Sequence, residues 1–582
     1  MFKVVPKKIV ILLTFIALAT ECFSQNPFNP LLELRRNGYR EKLFLVTDRD
    51  VYFAGEEIWL KIVSQDALTG QPQKMSKIVY LDLLDRDNNP VIQIKQELAD
   101  NSDGGSIVLP DSLATGIYIL RAYTSWMLNF NENEIWHKTI TIISPAQRIT
   151  TGILPKTILL TSPPEKDESA ITILIPDEVK GRRNEKSIVV LFTDNTEKTQ
   201  DYRLSAAVVK SSLLASERKN YMDHTVSSSD DQKDVKFIFR LPEPEGLILR
   251  GTMVDNTTAR PLVNEEVSLS IVGKTTRCRF TNTNENGEFV FLLNDFYGQG
   301  EVVIQPVSET LSDIYVELES PFYDHFYEID PEIFIPDTAS LKGISDALVS
   351  SQINRLYRSE FLPAIALTKG KHETDLYGEP TRRVMLADYI ELTDLREIVR
   401  EILSEVMIIR KDEKTQLKVT SKNPYETFDN QALVLVDGVP CSDIGKLLSA
   451  GAKEFERIDI VKKKYFRHGL IFDGIVSFVT KKGNLSLFEA DNTVFRQVFE
   501  GPQPVSKFYS PDYSVDSLRT RRVPDERNTL YWNPDIRPDS VGKIELRFFS
   551  SDEDTDYTLI IEGISGDGRH IYKTQELSEK NN

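Results

Sequence analysis

The side chains able to do chemistry are few and scattered. Six histidines occur in 582 residues, from His137 to His570. None has a second histidine one helical turn away, the spacing that lets two imidazoles reach one zinc ion. Asp85, Asp87 and Asn89 mimic the opening of a calcium loop. Pro90 stands where that loop needs its turn glycine, however, and Gln96 where it needs a bidentate glutamate, so the segment reads as a hairpin turn. Asp552, Glu553, Asp554 and Asp556 gather carboxylates that could attract calcium, although a charged loop between two strands is usually solvated. Gly563-Ile564-Ser565-Gly566 approaches a nucleophile elbow but lacks the last glycine and the strand-to-helix setting, and is expected to be a surface turn. No glycine loop is built to cradle phosphate, and no dinucleotide fingerprint follows a strand. With no nucleophile, base and orienter in one constellation, no catalytic residue, metal ligand or cofactor is nominated, and binding rather than catalysis is the expected mode of action.

The amino terminus carries Lys3, Lys7 and Lys8, an apolar run from Ile9 to Ala19, and small residues up to Ser24. That is the tripartite form of a secretory signal peptide, too short in its apolar part to span a bilayer, with cleavage expected after Ser24. Glu21 before Cys22 replaces the small residue of a lipobox, which argues against a lipoprotein. No later stretch is apolar for long enough to cross a membrane as a helix, so the mature chain is expected to be soluble or peripheral. The formal charge of −18 becomes more negative when the three lysines and Glu21 leave. Such acidity opposes nucleic acid and bare anionic membrane as partners. Of three cysteines, Cys278 and Cys441 remain, in different expected domains, so a disulfide framework is not expected and both read as small buried side chains.

A chain this long exceeds one hydrophobic core, and about 100 to 150 residues per domain suggests roughly four to six units. From Glu41 to about Pro145, short apolar segments such as Leu43 to Thr47, Ile58 to Val63, Ile78 to Leu84 and Ile117 to Tyr123 alternate with turns containing Gly55, Gly105 and Gly116. This spacing predicts a β-sandwich. Tyr52 and Trp59 are expected to fill it, with Gly55 supplying the positive φ of a tight turn. Within it, Thr47-Asp48-Arg49-Asp50-Val51-Tyr52-Phe53-Ala54-Gly55-Glu56, then Leu109-Pro110, Gly116-Ile117-Tyr118 and Leu120-Arg121-Ala122-Tyr123-Thr124, resemble the second macroglobulin domain of the alpha-2-macroglobulin family. The Cys-Gly-Glu-Gln thioester by which macroglobulin inhibitors trap proteases is missing, because Arg279-Phe280-Thr281 follows Cys278 and Ser442-Asp443-Ile444 follows Cys441.

Residues 146–245 continue in the same style and are expected to form a second such sandwich, with Ser227 to Lys233 an exposed loop. Leu247-Ile248-Leu249-Arg250-Gly251, Arg260-Pro261-Leu262-Val263 and Asn286-Gly287-Glu288-Phe289 resemble the carboxypeptidase-regulatory-like sandwich, a transthyretin-like fold without peptidase activity, over 246–316. Asn286-Gly287 is the pair a type I′ hairpin prefers. Leu341, Ile344, Leu348, Ile353 and Leu356 recur at helical spacing in a connector over 317–384, as do Leu395, Ile398, Val399, Ile402, Leu403 and Val406 beyond it.

This second helix is followed by Ala432 to Val436, Asp437-Gly438, a short helix, Phe455 to Val461 and Gly474 to Gly483. The order resembles the plug domain of TonB-dependent outer-membrane receptors, here over 385–485, with about 100 residues after it instead of a barrel. Residues 486–582, containing Thr529-Leu530-Tyr531-Trp532, resemble a further macroglobulin-like sandwich. The expected fold class is therefore mainly β and multi-domain: macroglobulin or Ig-like β-sandwiches, one transthyretin-like sandwich and one α+β plug-like domain.

These resemblances imply a non-enzymatic accessory protein of a Gram-negative envelope, periplasmic or associated with the outer membrane. Its plug-like domain would dock with an outer-membrane transport or secretion assembly. A surface module that binds glycan or polypeptide is the alternative, and an unrecognised hydrolase a remote third. The candidate partner contacts are Asp437 and Gly438, which a hairpin turn also explains, and the basic residues Lys462, Lys463, Lys464 and Arg467. Arg519, Arg521 and Arg522 form a second basic stretch that a solvated face explains equally well.

Overall fold

The computed structural model describes residues 39–71, 75–98, 104–130, 134–147, 171–175, 181–192, 202–214, 240–307, 313–324, 338–357, 375–389, 392–411, 414–420, 430–467, 470–486, 493–504, 506–566 and 569–577. The expected signal peptide, Cys22 and the loop at 227–233 lie outside them. The chain is mainly β and multi-domain, with its strands grouped in several sheets.

The first sandwich contains β1 (Glu41–Thr47), β2 (Val51–Phe53), β3 (Glu57–Asp66), β4 (Ile78–Leu84), β5 (Pro90–Glu97), β6 (Gly104–Val108), β7 (Gly116–Tyr123) and β8 (Trp136–Ile143). They form the sheets β1-β3-β6 and β2-β8-β7-β4-β5. Strand β4 shows why the unit does not stand alone. Its sequence lacks a polar face, and every residue is buried. Val79, Leu81 and Leu83 enter the sandwich's own core. Ile78 and Tyr80 point the other way, into a core shared with Leu249, Phe291 and their neighbours in the 247–318 region. Alternation of side chains across a strand makes such two-sided burial read as a continuous apolar run. Tyr52 fills the core as expected, and Gly55 has φ +89. Trp59 is only half-buried and lies against the core's margin.

Next come β9 (Ile171–Leu174), β10 (Glu185–Phe192) and β11 (Arg203–Lys210), then β12 (Leu247–Asp255), β13 (Glu266–Ile271), β14 (Arg277–Asn282), β15 (Glu288–Leu293), β16 (Gln299–Pro306) and β17 (Ile314–Leu318). At the β14–β15 turn only Gly287 has positive φ. The Asn284 Oδ1 accepts from the backbone N–H of Asn286 and Glu288, which replaces the expected type I′ geometry with a longer Asx-stabilised turn. Helix α1 (Thr338–Leu356) follows. Its Ile344 and Ala347 pack on Val51, Phe53, Ile143 and Leu213, bridging the first sandwich to the residues after β11.

The segment that follows holds β18 (Arg382–Met385), α2 (Leu395–Glu401), β19 (Val406–Lys411), β20 (Lys414–Val419), β21 (Leu433–Val436), β22 (Val439–Pro440), α3 (Ile444–Leu448), β23 (Phe455–Arg467) and β24 (Leu470–Thr480). A five-stranded sheet β18-β23-β24-β21-β22 and the hairpin β19-β20 surround one core with α2 and α3. Asp394 caps α2 by accepting from the Glu397 N–H at 2.9 Å, and the Glu397 carboxylate returns to the Thr393 N–H, a reciprocal cap. The helix ends at Glu401. Val406, expected on its apolar face, instead begins β19, because an apolar residue suits either period until the chain turns.

The last strands are β25 (Phe495–Glu500), β26 (Thr529–Ile536), β27 (Lys543–Phe549), β28 (Tyr557–Ile564) and β29 (His570–Glu576), with the short helix α4 (Asp516–Arg519) between β25 and β26. They correct the expected domain boundaries. Strand β25 pairs with β16 from Gln299↔Glu500 to Ile304↔Phe495 and completes the sheet β14-β13-β16-β25. Strands β26 and β28 flank β11, and β27 flanks β10. The sandwiches expected separately at 146–245 and 486–582 are therefore one body, with sheets β27-β10-β9 and β26-β11-β28-β29 around a common core. The α/β segment is inserted into the third sandwich, and that sandwich is inserted into the second. The physical reason is that β11 has two hydrogen-bonding edges and two apolar faces: Leu204, Ala206 and Val208 enter the second core while Ala207 and Val209 enter the first. Only strands from the far end of the chain fill both edges.

This arrangement also changes the reading of two motifs. Gly563 and Ile564 belong to β28 rather than to a surface turn, and a Cβ on Gly563 would meet the Arg203 carbonyl oxygen. Asp552 and Glu553 are held by cations rather than free in solvent. Asp552 is bound by the Arg183 guanidinium at 2.8 Å, and Glu553 by Lys210 and Ser350.

Candidate functional site

The third sandwich and the α/β segment meet along an apolar seam. Cys278 and Phe280 of β14 pack against Leu433 and Leu435 of β21, Val461 of β23, and Phe472 and Ile475 of β24. Beside it Gln305 Nε2 donates to the Pro440 carbonyl at 2.8 Å, tying β16 to β22. At the margin of the seam opens a groove of about 550 Å³ whose walls include Phe280, Gln305, Thr415, Gln431, Cys441 and Asp443.

Its carboxylate and its thiol are already committed, and Lys414 is its ammonium group. The Asp443 carboxylate accepts from the Lys446 N–H at 2.8 Å as the cap of α3. Burial, then the Asp443 charge, pushes the Cys441 thiol up to about 12. It therefore stays a protonated thiol at neutral pH rather than a nucleophilic thiolate. Cys278 is also free and, fully enclosed, is likewise pushed up to about 12 by desolvation. What the groove offers is apolar contact, hydrogen bonding and the charge of Lys414 at its wall.

The hydrogen bonding comes from the backbone of β20. This strand pairs in register with β19, Ile409↔Gln416 and Ile408↔Leu417. The Leu417 carbonyl accepts from the Ala432 N–H at 3.1 Å, so Leu417 directs its backbone groups away from β19. In an antiparallel pair, residues alternate between bonding the partner and facing outward. Thr415, two residues earlier, therefore also faces outward, towards the groove it lines. Among the described residues β19 and β20 form a two-stranded sheet, which leaves this stretch of β20 as an edge beside a groove of mixed polar and apolar lining.

The residues nominated from sequence fall elsewhere. Asp437 and Gly438 have φ +47 and +82 and close the β21–β22 hairpin, the type I′ geometry that Asp-Gly favours. The turn is internal. The Asp437 carboxylate is fully buried and accepts from the Thr480 N–H and Oγ1–H, both at 2.7 Å, and from the Leu485 N–H at 3.1 Å. Its backbone carbonyl accepts from the Gly273 N–H. A Cβ on Gly438 would stand 3.4 Å from the Thr276 Cα. Both residues join the two units and are closed to an outside partner, which corrects their assignment as partner contacts.

Lys462, Lys463 and Lys464 lie on β23, where the pairing shifts register between Val461 and Lys464. Lys462 Nζ lies 3.3 Å from Glu405 and Lys464 Nζ 3.4 Å from Asp473, while Lys463 is exposed. Arg467 is opposite Leu470 at the end of the β23–β24 hairpin, and its side chain is outside the described residues. Lys462, Lys463 and Lys464 do not line the groove. Asp85 Oδ1 accepts from the N–H of Asp87 and Asn89, the local turn expected there. Among the described residues, no group of three or more His, Cys, Asp and Glu is placed to hold a metal ion, and no helix is long and apolar enough to cross a membrane.

No known family profile matches the chain, and no curated protein does. Among solved structures it is similar to Salmonella alpha-2-macroglobulin reacted with methylamine, at 9% identity over 92% of this chain and 39% of that one, with a TM-score of 0.23. For trypsin-activated Escherichia coli alpha-2-macroglobulin the values are 10%, 93%, 41% and 0.23. For the Escherichia coli adhesin FdeC they are 12%, 45%, 58% and 0.13. The chain thus spans about two fifths of the macroglobulins it is matched to.

Proposed function

We propose that this chain is a non-enzymatic binding protein of a cell envelope, and that it holds an extended polypeptide segment of its partner in the groove beside β20. The observation that carries the reading is the outward-facing backbone of Thr415 along a groove lined by both polar and apolar side chains. An added strand would gain main-chain hydrogen bonds from this edge and side-chain contacts from Phe280 and its neighbours. A polypeptide fits better than a glycan because Thr415 offers an N–H and a carbonyl together on one strand edge, the pair that an added strand engages. The signal-peptide form expected of residues 1–24 and the plug-like order of elements expected over 385–485 favour an envelope setting, and the partner we propose is a component of an outer-membrane transport or secretion assembly. Docking through the Asp437 turn has no part in it, since that turn is internal. A photo-crosslinking amino acid at Gln431, which is exposed at the groove wall, tests this in intact cells. A discrete crosslinked envelope protein is the expected result, whereas crosslinks no different from those at the exposed Leu68 would dismiss the groove.

A further inference from the structure

Strands β23 and β24 run on past their neighbours. Strand β18 pairs with β23 over residues 457–460, and β21 with β24 over residues 475–478. Beyond these, residues 464–467 and 470–473 pair with each other alone among the described residues. Val461↔Ile475 is followed by Lys464↔Asp473, so β23 holds one residue more than β24 at the base of this arm, a bulge that re-aims the strands beyond it.

The arm has two unlike faces. Paired residues of two antiparallel strands share a face, and successive pairs alternate. Tyr465 and Phe472 turn inwards and pack in the seam beside Phe280. Phe466 and Ile471, the next pair along, turn outwards and are 62% and 44% exposed. The inner face thus holds the arm in place while a cross-strand apolar pair stands in water at its far end. Charge gathers around that pair. Between Asp459 and Asp473 the sequence contains Lys462, Lys463, Lys464 and Arg467 and no carboxylate side chain. Lys463 is exposed. Lys464 shares the outward face with Phe466, and its side chain stays 34% exposed although its Nζ lies 3.4 Å from the buried Asp473 carboxylate.

This combination fits a lipid surface better than a protein. A stable protein interface buries about 800 Å² on each partner, more than the outward face of a two-stranded arm with one apolar pair supplies. A bilayer asks for no matching shape: apolar side chains enter the headgroup boundary singly, and each lysine near an anionic surface adds attraction. Lysine suits such a layer, because a flexible stem carries its point charge. The formal charge of −18 on the whole chain does not prevent this contact, since physiological salt screens charges beyond about 8 Å.

We propose that the end of the β23–β24 hairpin attaches the protein peripherally to a bilayer surface bearing anionic lipid. Phe466 and Ile471 enter the boundary between headgroups and acyl chains, and Lys463 and Lys464 lie among the headgroups. Phe472, on the opposite face, lines the groove beside β20, so attachment holds the groove near the membrane without occupying it, and either site can fail alone.

Sedimentation of the whole protein with vesicles tests this. Binding is expected to vesicles of phosphatidylcholine and phosphatidylglycerol in equal parts, to weaken as salt is added, and to be lost on phosphatidylcholine alone. Phe466→Ser and Lys463→Glu, both at exposed positions, are each expected to weaken it about tenfold. Leu68→Ser, at an exposed apolar residue elsewhere, is expected to leave it unchanged. Phe466→Trp is expected to be quenched by lipids brominated along their acyl chains, beyond any quenching of the wild-type tryptophans. No sedimentation with the mixed vesicles, equal binding to both kinds of vesicle, equal binding of wild type and both arm variants, or no added quenching at position 466 would each overturn the assignment. So would self-association that Phe466→Ser abolishes in a protein that binds no lipid.

Discussion

Phe280 of the third sandwich and Phe472 of the inserted α/β unit face each other with ring centroids 6.1 Å apart. Neither ring belongs to the core of a single unit. Both lie in the shared apolar cluster at the seam, so the α/β unit has its own core yet is fixed to the sandwich that carries it.

Phe472→Ala should therefore act on both units. Truncating a buried phenylalanine costs about 3 kcal/mol or more. Denaturant unfolding is expected to show that loss, with faster amide exchange on β14 as well as on β24. Exchange confined to β24 would mean that the seam carries no load.

The Asp437 turn separates a structural role from a contact role. Asp437→Ala leaves three buried donors without an acceptor and places alanine at positive φ, a loss of about 2 to 4 kcal/mol. Asp437→Asn, which tolerates that φ and keeps one oxygen, is expected to lose less. A variant that melted normally but failed to bind would restore Asp437 as a partner contact.

Glu243 makes stability depend on pH. Its carboxylate accepts from the Tyr80 hydroxyl at 3.0 Å and from the Ile248 N–H at 2.8 Å, between the first and third sandwiches. Burial pushes it up from 4.5 to about 7, against the opposing hydrogen bonds and the charges of Arg250 and Lys95. The folded state therefore holds a proton that the unfolded state has lost. Its stabilising contribution is complete below 4.5 and disappears as pH rises to and through about 7, an effect on the order of 3 kcal/mol. Lys95, lowered to about 8 by burial, adds stability only as pH rises above that value. Denaturation between pH 5 and about 7.5 is expected to show stability falling, and Glu243→Gln to flatten the slope. An unchanged slope in the glutamine variant would remove Glu243 from the account.

The nested connectivity makes the end of the chain essential to strands about 350 residues earlier. Val208 pairs with Leu559 and Ile188 with Leu546. Deleting residues 506–577 should expose β10 and β11 to rapid amide exchange, and supplying that segment as a separate chain should restore protection. Full protection in the truncated chain would restore the separate sandwiches expected from sequence.

Local features were legible where neighbours in sequence decide them. The apolar spacing of Leu341, Ile344 and Leu348 marked α1, Gly55 marked its turn, and Asp437-Gly438 marked a hairpin. Periodicity shows that Tyr202 to Val209 is a strand, but it carries no record of which edges that strand will meet, so the joining of residues 202–210 to 529–564 was hidden. The groove was hidden for the same reason. Thr415 becomes an outward edge only once β19 has taken its other neighbours. Burial separated the nominated residues from the site, because the polarity that made Asp437 look like a contact serves three internal donors.

Binding of a polypeptide at the β20 edge, as proposed, runs through the backbone of Thr415. Thr415→Pro deletes the outward N–H while leaving the bonds of Gln416 to β19 in place. Recovery of the groove's crosslinked partner with wild-type and Thr415→Pro protein, purified from detergent-solubilised envelope at matched melting temperature, tests it most directly. Loss of the partner with proline and its retention with Thr415→Val is the expected result, whereas equal recovery with all three would show that the β20 backbone does not hold it.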